Sequence, residues 1–81
     1  MQVSVHFYSY FKDLAGCDQT VVMVADNSTL DDLLRELSVR FPKWAAMKNC
    51  ALTAVGVEYQ GRDYVLKAGD EVSLFPPVQG G

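Results

Sequence analysis

The sequence predicts an α+β roll in which one main helix covers one face of a mixed sheet of four or five strands. Three observations carry that expectation. Residues 1–8 alternate between apolar and polar, residues 30–41 carry one apolar stripe at helical spacing, and the other apolar segments are short and β-branched. Their order is strand, strand, helix, strand, short strand, strand, which one helix and one sheet satisfy. The 81 residues, 49% hydrophobic, suit one small domain over residues 1–75 followed by a tail at 76–81, with no length for a second core.

Each element has a local cause. Val3, Val5 and Phe7 alternate with Gln2, Ser4, His6 and Tyr8, so the first three face a core. Phe11, Leu14 and Ala15 fall at helical spacing and stop at Gly16, a short helical turn with a glycine exit. Gln19 to Val24, with three valines and a threonine, reads as the second strand of a hairpin. Leu30, Leu33, Leu34, Leu37 and Phe41 form the helix stripe, capped by Ser28 or Thr29, with Asp31 and Asp32 in the first turn and Pro42 closing it. Pro42, Lys43, Trp44 and Met47 start another short turn, with Trp44 as a packing anchor. Ala51 to Tyr59 reads as strand, Gln60 to Asp63 as a turn, Tyr64 to Leu66 as the short strand and Ala68 to Asp70 as a turn. Glu71 to Phe75 closes the sheet, with Val72 and Leu74 inward and Ser73 and Phe75 on the opposite face. The first and last strands are expected side by side and parallel.

Charge and composition exclude several functions. Seven basic and ten acidic residues give a net charge of -3, and no two Lys or Arg are adjacent, so a nucleic-acid partner is not expected. No apolar run approaches the roughly 20 residues of a membrane helix. The first residues lack a signal-peptide pattern, which points to the cytoplasm. Cys17, Cys50 and His6 are too few for a structural zinc site. Reduced thiols are the expected state of both cysteines, and neither has an assignable base or oxyanion site, so no catalytic residue and no metal is expected.

The end of the chain carries the chemistry. Phe75 runs into Pro76-Pro77-Val78-Gln79-Gly80-Gly81, a stiff extended base and a tip without side chains. Six residues at this extension reach on the order of 20 Å, enough to deliver a terminal carboxylate into another protein's active site. Gly81 offers the least hindered acyl group a chain can present. Tyr8 and Phe75 both point off the buried faces, and with Tyr59, whose phase is ambiguous, they form a candidate partner surface at the tail's base.

The closing stretch Leu66 to Gly81, with its Gly69-Asp70-Glu71-Val72 turn and Phe75-Pro76-Pro77-Val78-Gln79-Gly80-Gly81 ending, resembles the small subunit of molybdopterin synthase, the MoaD type of ubiquitin-like sulfur carrier. Val5-His6-Phe7-Tyr8, Phe11 to Gly16 and Thr29 to Leu34 fit the same family, so the likeness covers essentially the whole chain. Gly56 departs from it, since relatives commonly carry an asparagine near that position.

The resemblance implies a β-grasp fold and a non-catalytic carrier. An E1-like enzyme using ATP and magnesium would adenylate the Gly81 carboxylate, and a sulfur donor would convert it to a thiocarboxylate. The tail would then enter the large molybdopterin synthase subunit, in a heterotetramer, and give its sulfur to cyclic pyranopterin monophosphate. The carrier itself would bind no cofactor. Alternatives are a carrier for another pathway such as thiamine biosynthesis, a ubiquitin-like modifier that joins Gly81 to lysine amines, and a plain interaction module.

Overall fold

Val3, Val5 and Phe7 are buried along β1 (Gln2–Phe7), as the alternation requires, in a computed structural model that describes residues 1–77. The chain continues through α1 (Phe11–Ala15), β2 (Gln19–Met23), α2 (Leu30–Arg40), α3 (Pro42–Ala45), a 3-10 turn at Lys48–Cys50, β3 (Leu52–Val55), β4 (Glu58–Tyr59) and β5 (Glu71–Phe75). The five strands form one sheet in the order β2-β1-β5-β3-β4. β1 and β5 are parallel neighbours and the other three pairings are antiparallel. This is the mixed sheet that the order of elements predicts, with the first and last strands adjacent.

One face of the sheet is covered. Leu30, Leu33, Leu34 and Leu37 of α2 are fully buried with Val3, Val5, Val22, Val72 and Leu74 from the strands. Burying four leucines contributes roughly 6 to 12 kcal/mol, far more than any cap at about 1 kcal/mol, so the stripe decides where this helix lies. Trp44 is also fully buried, edge-on to Phe7 at 6.2 Å and to Phe11 at 5.9 Å. It anchors α3 over one end of β1, and its indole N–H has no hydrogen-bond partner among the described residues.

The start of α2 shows why the loop after β4 is not part of the sheet. Leu30 N–H donates to the Tyr64 carbonyl at 2.9 Å and Asp31 N–H to the Arg62 carbonyl at 3.0 Å. Asp32 N–H donates to Thr29 Oγ1 at 3.2 Å, while the Asp32 carboxylate accepts from Thr29 N–H at 3.0 Å. Thr29 is therefore the cap, and the first-turn donors that a helix leaves free are satisfied. Arg62 holds the loop in place, donating to Asp31 Oδ1 at 3.2 Å and to the Lys48 carbonyl at 2.6 Å.

Two expectations are corrected here. The short strand expected at Tyr64 to Leu66 is a single bridge between Thr29 and Val65, because these residues serve the helix terminus. The short strand of the sheet is β4, and the segment Ala51 to Tyr59 is a hairpin that turns at Gly56 and Val57, not one strand. Gly56 sits at φ +62°, in the left-handed region that glycine enters freely, and its N–H donates to the Glu71 carbonyl at 2.9 Å.

Candidate functional site

The parallel pairing of β1 and β5 brings the C-terminal ends of both strands to the same end of the sheet. The ladder reaches one residue past β1, where Tyr8 N–H donates to the Leu74 carbonyl at 3.1 Å. Tyr8 and Phe75 thereby become neighbours on the face that α2 does not cover. Their rings stack with centroids 4.6 Å apart and planes 12° from parallel. Tyr59 closes the group edge-on to Phe75 at 6.4 Å. Aromatic pairs of this kind add about 0.5 to 1.5 kcal/mol each beyond their buried area.

Tyr59 reaches this face because the turn at Gly56 resets the alternation. It pairs with Ala54, which pairs in turn with Ser73, and these two small side chains leave room between the rings and the turn. A shallow hollow of about 180 Å³ results, bounded by Gly56, Val57, Tyr59 and Phe75 over a floor of Ala54 and Ser73. Tyr8 is 41% exposed and Tyr59 71%, whereas Phe75 is half-buried between them. The three residues expected at the tail's base are thus adjacent.

Other residues of this face were not singled out from the sequence. Leu52, exposed, stands opposite Phe75 in the β3–β5 register, and Val21 and Met23 of β2 extend the apolar surface to the far edge. The alternation of Val21 and Met23 with buried Val22 was the signal for them. His6 lies on the same face, with Nε2 3.8 Å from Glu71 Oε1, and both are at least partly exposed.

The tail begins at Pro76 and Pro77, which are half-buried at the edge of the ring cluster's strand. The remaining expected tail residues, Val78, Gln79, Gly80 and Gly81, lie outside the described residues. Among the described residues no three His, Cys, Asp or Glu side chains gather as metal ligands, and no helix is long and apolar enough to cross a membrane. Cys17 and Cys50 are free thiols, and Cys50 donates to the Met47 carbonyl at 3.3 Å.

The ThiS family profile matches residues 5–81, nearly the whole chain. The chain belongs to the ThiS family. Within it, a molybdopterin synthase sulfur carrier subunit of Escherichia coli is 36% identical, over 98% of this chain and 99% of that protein. The small archaeal modifier protein 3 of Haloferax volcanii is 30% identical, over 100% of both chains. A solved structure from Pyrococcus furiosus, described as a candidate molybdopterin converting factor subunit 1, superposes with a TM-score of 0.88 at 29% identity, covering 96% of this chain and 99% of that one. The fold is the ubiquitin-like β-grasp, with its mixed five-stranded sheet and helix packed on one face, and the resemblance to MoaD-type sulfur carriers drawn from the sequence is borne out over nearly the whole chain.

Proposed function

We propose that this chain is the sulfur carrier of a molybdopterin synthase and works as a substrate of other enzymes. The observation that carries this reading is the likeness to the sulfur carrier subunit of Escherichia coli, which extends over 98% of the chain. The geometry supports it, because a ring cluster on the uncovered sheet face stands where the chain leaves β5 for Pro76 and Pro77.

In this reading Gly81 is the covalent site and residues 76–81 are the part inserted into a partner's active site. A carboxylate is a poor acyl donor because its leaving group would be an oxide. An E1-like enzyme overcomes this by letting the Gly81 carboxylate attack the α-phosphorus of ATP, with magnesium on the triphosphate, so that pyrophosphate leaves. Hydrosulfide delivered by the donor then attacks the acyl carbon, AMP departs with the acyl–phosphate electron pair, and loss of the remaining S–H proton leaves the thiocarboxylate. Gly80 and Gly81 put no side chain in the way of either attack. The large synthase subunit receives the tail and passes the sulfur to cyclic pyranopterin monophosphate. Tyr8, Tyr59 and Phe75 supply the docking surface, and these steps belong to the cytoplasm.

A second reading has its own support in the 30% identity to an archaeal modifier protein. There the same activated Gly81 would meet a lysine amine and form an isopeptide bond. One experiment separates the two. The purified chain is incubated with an E1-like enzyme, ATP, magnesium and a sulfur donor, and its intact mass is measured before and after. The carrier reading expects a gain equal to replacing one oxygen by sulfur, no gain after deletion of Gly81, and molybdopterin formation when the large subunit and cyclic pyranopterin monophosphate are added. An unchanged mass sinks the carrier reading; lysine conjugates without molybdopterin favour the modifier, and the absence of conjugates when acceptor proteins are supplied sinks that reading.

A further inference from the structure

The two outer edges of the sheet are protected unequally. β4 ends one side with two residues, one of them Glu58, and offers an incoming strand little to pair with. β2 ends the other side with five residues, Gln19–Met23, that include no charge, proline or glycine. Strands of that composition are templates for edge-to-edge pairing.

The ladder shows which backbone groups β2 offers. Phe7 N–H donates to the Asp18 carbonyl at 2.9 Å and Val24 N–H to the Met1 carbonyl at 2.8 Å, bracketing the register from Gln2 opposite Met23 to His6 opposite Gln19. In an antiparallel ladder, hydrogen-bonded pairs alternate with pairs that are not. Thr20 and Val22 therefore turn their N–H and C=O groups toward β1, and Gln19, Val21 and Met23 turn theirs outward. Val21 is the middle of these three. Its carbonyl accepts a hydrogen bond from Arg40 Nη1 at 3.1 Å, and Arg40 is the last residue of α2.

A second copy adding its β2 antiparallel about a twofold axis at this point would set the two Val21 residues opposite each other and each Gln19 opposite a Met23. That register has no like-charge clash and uses both Val21 carbonyls in its central hydrogen bonds. The Arg40 guanidinium sits on that acceptor, fills the space an incoming strand needs, and would meet its own twofold mate. We propose that Arg40 is an edge guard: it keeps β2 from pairing with the β2 of a second copy, so the sheet ends at β2 instead of running on through a twofold partner. The proposal does not depend on the sulfur-carrier reading.

Sedimentation of the full chain over a wide concentration range tests it. R40A and R40Q should both self-associate, with an apparent dimer dissociation constant at least about tenfold lower than that of the wild type. Gln keeps helix propensity while removing the charge, so R40Q carries the comparison if the alanine variant folds poorly. Adding V21K to either variant should restore the monomer, because that side chain is 44% exposed and would oppose its own copy across the new edge. Folded R40A and R40Q that stay as monomeric as the wild type would overturn the proposal, as would association that V21K leaves intact.

Discussion

Thr29 and Asp32 show how much two small side chains settle. Each accepts a hydrogen bond from the other's backbone N–H, which fixes the first turn of α2 and thereby the place of the loop that docks on it. Thr29→Ala should cost about 1 kcal/mol of stability, read from the midpoint of urea unfolding. The hydrogen bond from Thr29 N–H, reinforced by the Thr29 hydroxyl, holds the Asp32 carboxyl below its ordinary 3.8. A group whose folded-state pKa is depressed stabilises the fold at pH values above the unfolded pKa and stops doing so as pH falls through the folded one. Asp32→Asn should therefore lower the thermal midpoint at neutral pH, and the gap to the wild type should close as the pH drops below about 3.8. A gap that stays constant through that range would show that the charge plays no part in the cap.

Among elements, the β3–β4 hairpin matters most to the site, since it carries Tyr59 to Phe75. Its turn depends on Gly56 at φ +62°, a backbone region that costs residues with a side chain about 1 to 2 kcal/mol, asparagine least. Gly56→Asn should be nearly silent and Gly56→Val should lose roughly 1 to 2 kcal/mol, with equilibrium unfolding as the measure. Equal losses would mean that side-chain volume, not backbone conformation, decides the residue there. The same turn explains why the segment looked continuous in sequence. Val55, Val57 and Tyr59 alternate perfectly, and nothing in residue type alone says that a reversal at Gly56 shifts the phase in between.

At the scale of the whole molecule, one sheet face holds the fold together and the other is left uncovered among the described residues. Leu30, Leu33, Leu34 and Leu37 cover the first, while Tyr8, Val21, Met23, Leu52 and Tyr59 remain exposed on the second. If the ring cluster is the proposed docking surface, Phe75→Ala and Tyr8→Ser should each weaken binding to the large synthase subunit about tenfold or more. Calorimetric titration with the purified subunit would measure it, and the Tyr8 variant should remain folded while its unfolding temperature drops by several degrees, as expected for loss of its stack on Phe75. Unchanged affinity in both variants would remove these rings from the interface while leaving the tail chemistry standing.

Local pattern was enough for most of the architecture. The alternation of Val3, Val5 and Phe7, the leucine spacing of α2 and the Phe75-Pro76-Pro77 junction each depend on neighbours within a few residues, so they could be read directly, as could the inward positions Val72 and Leu74. The tertiary structure decided whatever depends on distant partners. It put Tyr59 beside Phe75 through a chain reversal, assigned Tyr64 to Leu66 to the start of α2 instead of the sheet, and brought Arg40 to the carbonyl of Val21, 19 positions earlier. Backbone hydrogen-bond groups are the same in every residue except proline, and which of them find a partner is settled only when separate segments meet in space.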